Sequence, residues 1–128
     1  MSLKEKLKLM VVDDTSTSRA LITQALDAIG LRNYTTENDG AAAFKQLAAS
    51  PVHLVISDYN MPGLDGLQLL EALRRNPSTS KIGFILITGR ADQALIEQGQ
   101  KLAMNNLIKK PFSTEQMKSG IERVVGQL

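Results

Sequence analysis

Val52-His53-Leu54-Val55-Ile56-Ser57-Asp58, followed at once by Tyr59-Asn60-Met61-Pro62-Gly63-Leu64-Asp65-Gly66, carries the main structural signal of this 128-residue chain. The run from Val52 to Ser57 is nearly all apolar, as a strand covered on both faces should be. It ends on a carboxylate, Asp58. The residues after it are turn-rich, and Leu67, Leu70 and Leu73 then recur on one helical face up to Asn76-Pro77. A buried strand that passes through a loop into a helix is half of a β-α-β unit.

The same alternation extends in both directions. Upstream, Leu7 to Val12 predicts a strand feeding a helix marked by Ile22, Ala25, Leu26 and Ile29 and ended by Gly30. A weaker strand, Tyr34 to Glu37, precedes Asp39-Gly40 and an alanine-rich helix through Phe44 and Leu47 that must stop before Pro51. Downstream come a strand from Ile82 to Thr88 and an indistinct helix over Asp92 to Leu102. Gly99 at its centre lowers its intrinsic stability by about 1 kcal/mol relative to alanine, which makes this helix a candidate mobile element. A short strand, Leu107-Ile108, leads to a last helix opened by Ser113 and Gln116 in capping-box spacing, with Met117, Ile121, Val124, Val125 and Leu128 on one face. Strands alternating with helices, without internal repeats, predict an α/β domain built on a parallel sheet.

Composition narrows the function. The length suits one domain, and 43% hydrophobic with 22% charged residues is ordinary for a soluble globular protein. No apolar run approaches a bilayer span, and Met1 to Lys6 has no uninterrupted apolar stretch of the secretory kind, so a cytoplasmic location is expected. The absence of cysteine excludes disulfides, Cys-ligated zinc, iron–sulfur clusters and thiol nucleophiles. With His53 the single histidine, a histidine-cluster metal site is excluded too, and His53 itself reads as a surface or packing residue. A net charge of +2 spread over scattered lysines predicts a solvated surface with no nucleic-acid or membrane partner.

Asp13-Asp14, Asp58, Thr88 and Lys110-Pro111 each follow a predicted strand directly, at the sheet edge where open parallel sheets bind ligands. Taken singly, each has an ordinary reading: an aspartate capping the first helix, a strand-end threonine before Gly89, a plain lysine loop. Asp58 is harder to dismiss, because a carboxylate closing an apolar strand must be solvated, paired or metal-bound. If the first and third strands are neighbours, three carboxylates converge. Two unit charges 4 Å apart repel by roughly 4 kcal/mol at an effective dielectric near 20, so the cluster asks for a cation. All-oxygen ligands with room for water and phosphate favour Mg²⁺ over Ca²⁺. With Lys110 as a second positive charge, Thr88 as a hydroxyl donor and Asp58 as nucleophile, the parts suit in-line phosphoryl transfer to an aspartate. There is no Gly-rich Walker loop, so the expected donor is another phosphoprotein or a small acyl phosphate.

These residues resemble the receiver domains of bacterial two-component response regulators, and among them the stand-alone, CheY-like chemotaxis regulators. The resemblance covers nearly the whole chain and rests on Val11-Val12-Asp13-Asp14, Ser57-Asp58-Tyr59-Asn60-Met61-Pro62 with Asp65-Gly66, Thr88-Gly89 and Lys110-Pro111-Phe112. It implies a flavodoxin-like, doubly wound α/β fold with helices on both faces of a five-stranded parallel sheet. The strand order it implies is 2-1-3-4-5, which belongs to the family pattern and which residue spacing alone leaves open. It implies a single receiver domain over 1–128 with no effector domain, and hence output through a separate protein. It also implies Mg²⁺ held by Asp14, Asp58 and the backbone carbonyl of Asn60, with Asp13 acting through a metal-bound water. Lys110 would pair with the phosphoryl group on Asp58, Thr88 would bond it, and the bond before Pro111 would be cis.

The resemblance further implies a sensor histidine kinase of the chemotaxis type as donor. The receiver would catalyse only its own phosphorylation and slow autodephosphorylation, and so is not otherwise an enzyme. Signalling would use the face made by the fourth helix, fifth strand and fifth helix, with the flagellar motor switch as one candidate target and a monomer as the default state. Asn60 and Arg90 occupy positions that tune phosphoryl lifetime. The sequence departs from the pattern where an aromatic is expected in the last strand: Leu107 stands there, with Leu102 and Asn106 in place of small residues before it. A phosphate-sink or relay role is the alternative within the family. Outside it, a flavodoxin-like electron carrier would use Thr15-Ser16-Thr17-Ser18 for a cofactor phosphate, although two aspartates precede that loop and it lacks glycine. An Asp-nucleophile phosphatase would ordinarily carry a cap domain, and a pure interaction module would not need the acidic, threonine and lysine set.

Overall fold

The computed structural model describes residues 3–128. A single turn, α1 (Leu3–Lys6), precedes β1 (Leu9–Val12), α2 (Ser16–Ile29), β2 (Tyr34–Glu37), α3 (Gly40–Ala49), β3 (Leu54–Asp58), α4 (Gly66–Arg75), β4 (Gly83–Thr88), α5 (Gln93–Lys101), β5 (Asn106–Lys109) and α6 (Thr114–Val125). The strands form one sheet in the order β2-β1-β3-β4-β5, every pair parallel. This is the order the family resemblance implies. Because of α1, the expected signalling face corresponds to α5, β5 and α6.

Alternation along each strand builds two cores. Leu9, Val11, Leu54, Ile56, Ile85 and Ile87 pack with Ile22, Leu26, Met117 and Ile121 of α2 and α6. Met10, Val12, Val55, Phe84 and Leu86 pack on the other face with Ala43, Leu47, Leu70, Leu73 and Leu95 of α3, α4 and α5. Helix starts follow local chemistry. Asp65 and Ser113 each form a reciprocal capping box, with Gln68 and Gln116, and Asp39 and Asp92 each accept a backbone N–H three residues on.

Several boundaries differ from the sequence expectation. Leu7 is buried but lies outside β1, because its N–H closes the α1 turn on the Leu3 carbonyl. In β3 the ladder begins at Leu54 and runs on through Asp58, which pairs with Ile87. Ile82 precedes β4, its N–H bonded to the Thr79 carbonyl. The last strand is longer than Leu107-Ile108, since Asn106 and Lys109 pair with Ile85 and Thr88.

Two glycines have packing reasons. A Cβ on Gly66 would sit 2.6 Å from the Asp58 carbonyl oxygen, so only glycine lets α4 start directly against the end of β3. Gly99 is buried, and a Cβ there would lie 2.6 Å from Met104 Cε. Its place in α5 makes room for that side chain. His53 is exposed and accepts a hydrogen bond through Nδ1 from the Lys8 N–H (2.9 Å), a surface role just before β3, at the end of the sheet opposite the acidic cluster. Among the described residues no helix is long and apolar enough to cross a membrane.

Candidate functional site

Parallel register brings the acidic residues together. Val12 pairs with Ser57, so Asp13 and Asp58 leave adjacent strands side by side at their C-terminal ends. Carboxylate oxygens of Asp13, Asp14 and Asp58 lie within 4.8 Å of one another; Asp13 and Asp58 are buried and Asp14 is exposed. Lys110, just past β5, reaches across to Asp58 with Nζ 2.8 Å from Oδ1. The Lys110–Pro111 peptide bond is cis, as the resemblance implies.

Asp13 does more than cap a helix. The N-cap of α2 is Thr15, whose side chain makes no capping bond. The Thr15 N–H instead donates to Asp13 Oδ1 (3.0 Å), and the Ser18 hydroxyl donates a short hydrogen bond to Asp13 Oδ2. Arg19 donates from Nη1 to the Asp13 carbonyl at 2.7 Å. The Ser18 oxygen in turn accepts from Lys110 Nζ at 2.9 Å. A continuous chain of hydrogen bonds therefore runs from Asp13 through Ser18 and Lys110 to Asp58.

Sequence reasoning misses the site roles of Ser18 and Arg19. Ser18 belongs to the hydroxyl-rich stretch that a cofactor-phosphate loop would use, yet its hydroxyl is engaged by Asp13 and Lys110. The signal that could have found it is positional: the third residue of a helix that starts beside the acidic pair sits close to that pair.

Thr88 and Asn60 stand differently. Thr88 is buried at the end of β4, and its hydroxyl exchanges hydrogen bonds with the Arg90 backbone, donating to the carbonyl and accepting from the N–H, both at 3.1 Å. Asn60, Thr88 and Arg90 border a common hollow of about 320 Å³ beside α5. Leu107 is half-buried and packs on the α4 and α5 side of the sheet with Leu102 and Met104. An aliphatic side chain thus fills the place where the family pattern has an aromatic.

Burial raises the Asp58 pKa, and the Asp13 charge raises it further. The Lys110 hydrogen bond and charge, with a bond from the Tyr59 N–H, oppose the rise without cancelling it. One ammonium does not neutralise this cluster. The donors are all oxygen, three carboxylates converge and a net negative charge remains, which fits a hard divalent cation such as Mg²⁺.

Comparison with known proteins agrees with this geometry. The response regulator receiver domain model matches residues 9–122. A probable chemotaxis protein CheY of Rhizobium etli is 45% identical over 128 residues, covering 100% of this chain and 99% of that protein. Chemotaxis protein CheY1 of Helicobacter pylori is 34% identical over 121 residues, 94% of this chain and 98% of the relative. Among solved structures, Vibrio cholerae CheY4 superposes with a TM-score of 0.85 at 24% identity, covering 92% of this chain and 98% of its own. The receiver domain of a Pseudomonas aeruginosa sensor histidine kinase, solved with a magnesium ion in its active-site cleft, gives 0.84 at 23% identity, covering 94% and 98%.

Proposed function

This chain belongs to the response regulator receiver domain family, and from that membership we propose that it is a phosphorylation switch with Asp58 as phosphoacceptor. The supporting observation is the single cluster in which Asp58, buried at the end of β3, meets Asp13, Asp14 and the Lys110 ammonium.

In this reading an Asp58 carboxylate oxygen attacks phosphorus in line. The P–N bond of a kinase phosphohistidine, or the P–O bond of an acyl phosphate, breaks with its electron pair leaving on the donor, and Asp58 becomes an acyl phosphate. Asp14, Asp58 and the Asn60 carbonyl would hold Mg²⁺, with Asp13 reaching it through water; when bound, the ion supplies positive charge to the phosphoryl oxygens. Lys110 contributes an ammonium already hydrogen-bonded to the acceptor carboxylate. Thr88 would donate to the phosphoryl group only by giving up its donor bond to the Arg90 carbonyl, so modification at Asp58 would alter the β4–α5 connection.

The relatives named as chemotaxis proteins support a role in chemotaxis, with a sensor histidine kinase upstream and a separate target engaged by the α5, β5 and α6 face, the flagellar motor switch being one such target. The monomer is the form proposed. Intact-mass measurement after incubation with acetyl phosphate is expected to show one labile phosphoryl adduct with Mg²⁺ and none in its absence. No adduct with Mg²⁺, and none from a phosphorylated kinase either, defeats the proposal.

Arg90 borders the Asn60–Thr88 hollow with its side chain exposed. In this reading the Arg90 side chain shields the phosphoryl group from water, so Arg90→Ala is expected to speed decay of the adduct about threefold, the equivalent of one modest hydrogen bond. An unchanged decay rate removes Arg90 from the lifetime argument.

A further inference from the structure

We propose that Ser18 is the positioning residue for Lys110, holding its ammonium in the transfer geometry and keeping it off Asp13; this rests on the phosphoryl-transfer reading above. Lysine ends in a flexible stem, and an ammonium with one contact can swing among nearby carboxylates. Here it has two contacts in different directions, Asp58 Oδ1 at 2.8 Å and Ser18 Oγ at 2.9 Å. A third N–H is left for an incoming phosphoryl oxygen.

The direction of the Ser18 bonds matters. Its single proton goes to Asp13 Oδ2, so its oxygen is free to accept from Lys110. Donation to a carboxylate polarises the hydroxyl and strengthens its acceptance from the ammonium. The hydroxyl also stands between Lys110 and Asp13, preventing a direct ion pair that would take up charge the cation side of the site requires.

The two anchors also differ in persistence. Transfer turns the Asp58 carboxylate into an acyl phosphate, and the ammonium then loses much of its ionic hold on the carboxyl oxygens. The Ser18 contact involves no reacting atom and remains through the step. Such a support is what a preorganised charge requires, since misplacement of a reacting group by about 1 Å can cost on the order of 100-fold in rate.

The test pairs a rate with a signal that needs no turnover. At saturating Mg²⁺, Ser18→Ala is expected to slow phosphorylation by acetyl phosphate about tenfold, Ser18→Thr to restore most of the rate, and Ser18→Ala to add less than about twofold in a Lys110→Ala background. In metal-free protein, the ¹⁵N–¹H correlation of the Lys110 ammonium is expected to be protected from exchange in the wild type and in Ser18→Thr, and lost in Ser18→Ala. Equal slowing in both Lys110 backgrounds, or an ammonium signal indifferent to Ser18→Ala, overturns the proposal. A wild type that phosphorylates normally while Ser18→Ala matches its rate overturns this inference alone; a wild type that takes up no phosphoryl group removes the transfer reading and this inference together.

Discussion

Asp58→Asn is expected to take up no phosphoryl group at any Mg²⁺ concentration and, without divalent ions, to melt above the wild type. The amide keeps the side-chain shape and can still accept from Lys110, but it is no nucleophile and carries no charge toward Asp13. Relief of one carboxylate repulsion, offset by a weaker bond to Lys110, leaves a gain of about 1 kcal/mol, or about 3–6 °C in a domain of this size. Opposite signs in function and stability separate lost chemistry from a damaged fold.

The pH dependence has a defined sign. The folded-state pKa of Asp58 is raised, chiefly by burial and then by Asp13 against the opposing Lys110 contact, so the metal-free fold favours its protonated form. That contribution is complete below the unfolded-state pKa and is lost as pH rises through the folded value. The melting advantage of Asp58→Asn in EDTA should therefore grow with pH across that window and level off above it. Mg²⁺ should reverse the order, adding ~1.4 kcal/mol to the wild type at ten times its Kd. A melting difference independent of both pH and Mg²⁺ contradicts this account.

Arg74→Ala should be strongly damaging although it lies outside the site and outside both apolar cores, costing about 3 kcal/mol by denaturant unfolding. Its guanidinium donates to the carbonyls of Leu102 (3.0 Å), Ser80 (3.0 Å), Ile82 (2.7 Å) and Ala103 (2.9 Å), and to Asn105 Oδ1 (3.2 Å). Among the described residues no carboxylate pairs with it; burial lowers its pKa, but an arginine stays charged and takes its compensation from these oxygens. Alanine would strand several of them at about 1 kcal/mol or more each, some being rescued by water. Arg74→Lys should recover less than half of the loss, because one ammonium cannot reproduce the planar fork. A loss under about 1 kcal/mol for Arg74→Ala would mean that water satisfies the carbonyls equally well.

What the sequence discloses follows from how local each signal is. Buried strands announce themselves through uninterrupted apolar runs, and even the polar edge strand Tyr34–Glu37 has the limits its residues predict. Four-residue α1 is too short for a helical period to show, and Leu7 looks like strand because burial alone does not distinguish a strand from the turn beside it. The acidic cluster is readable because each member stands at the C-terminal end of a strand or just past it. Ser18 and Arg74 are not, since a serine in a first helical turn and an arginine in a last one both look like end-of-helix residues; only tertiary placement brings Lys110 to the first and the Leu102 and Ala103 carbonyls to the second. Strand order comes from family likeness, because alternation alone permits several arrangements.

The hydrogen bond from Lys110 to Ser18 joins residues 92 positions apart, and that separation bears on when the site can exist during synthesis. Its parts arrive from the ribosome with the Asp13 pair and the Ser18 hydroxyl first, Asp58 next and the Lys110 ammonium last, and contacts of such high sequence separation close late because of their loop entropy. A nascent chain folded only through Thr88 would hold its carboxylates together without their lysine. On the phosphoryl-transfer reading, the acceptor site is complete only once β5 has docked, and an unfinished chain lacks the Lys110 contact that a competent acceptor needs.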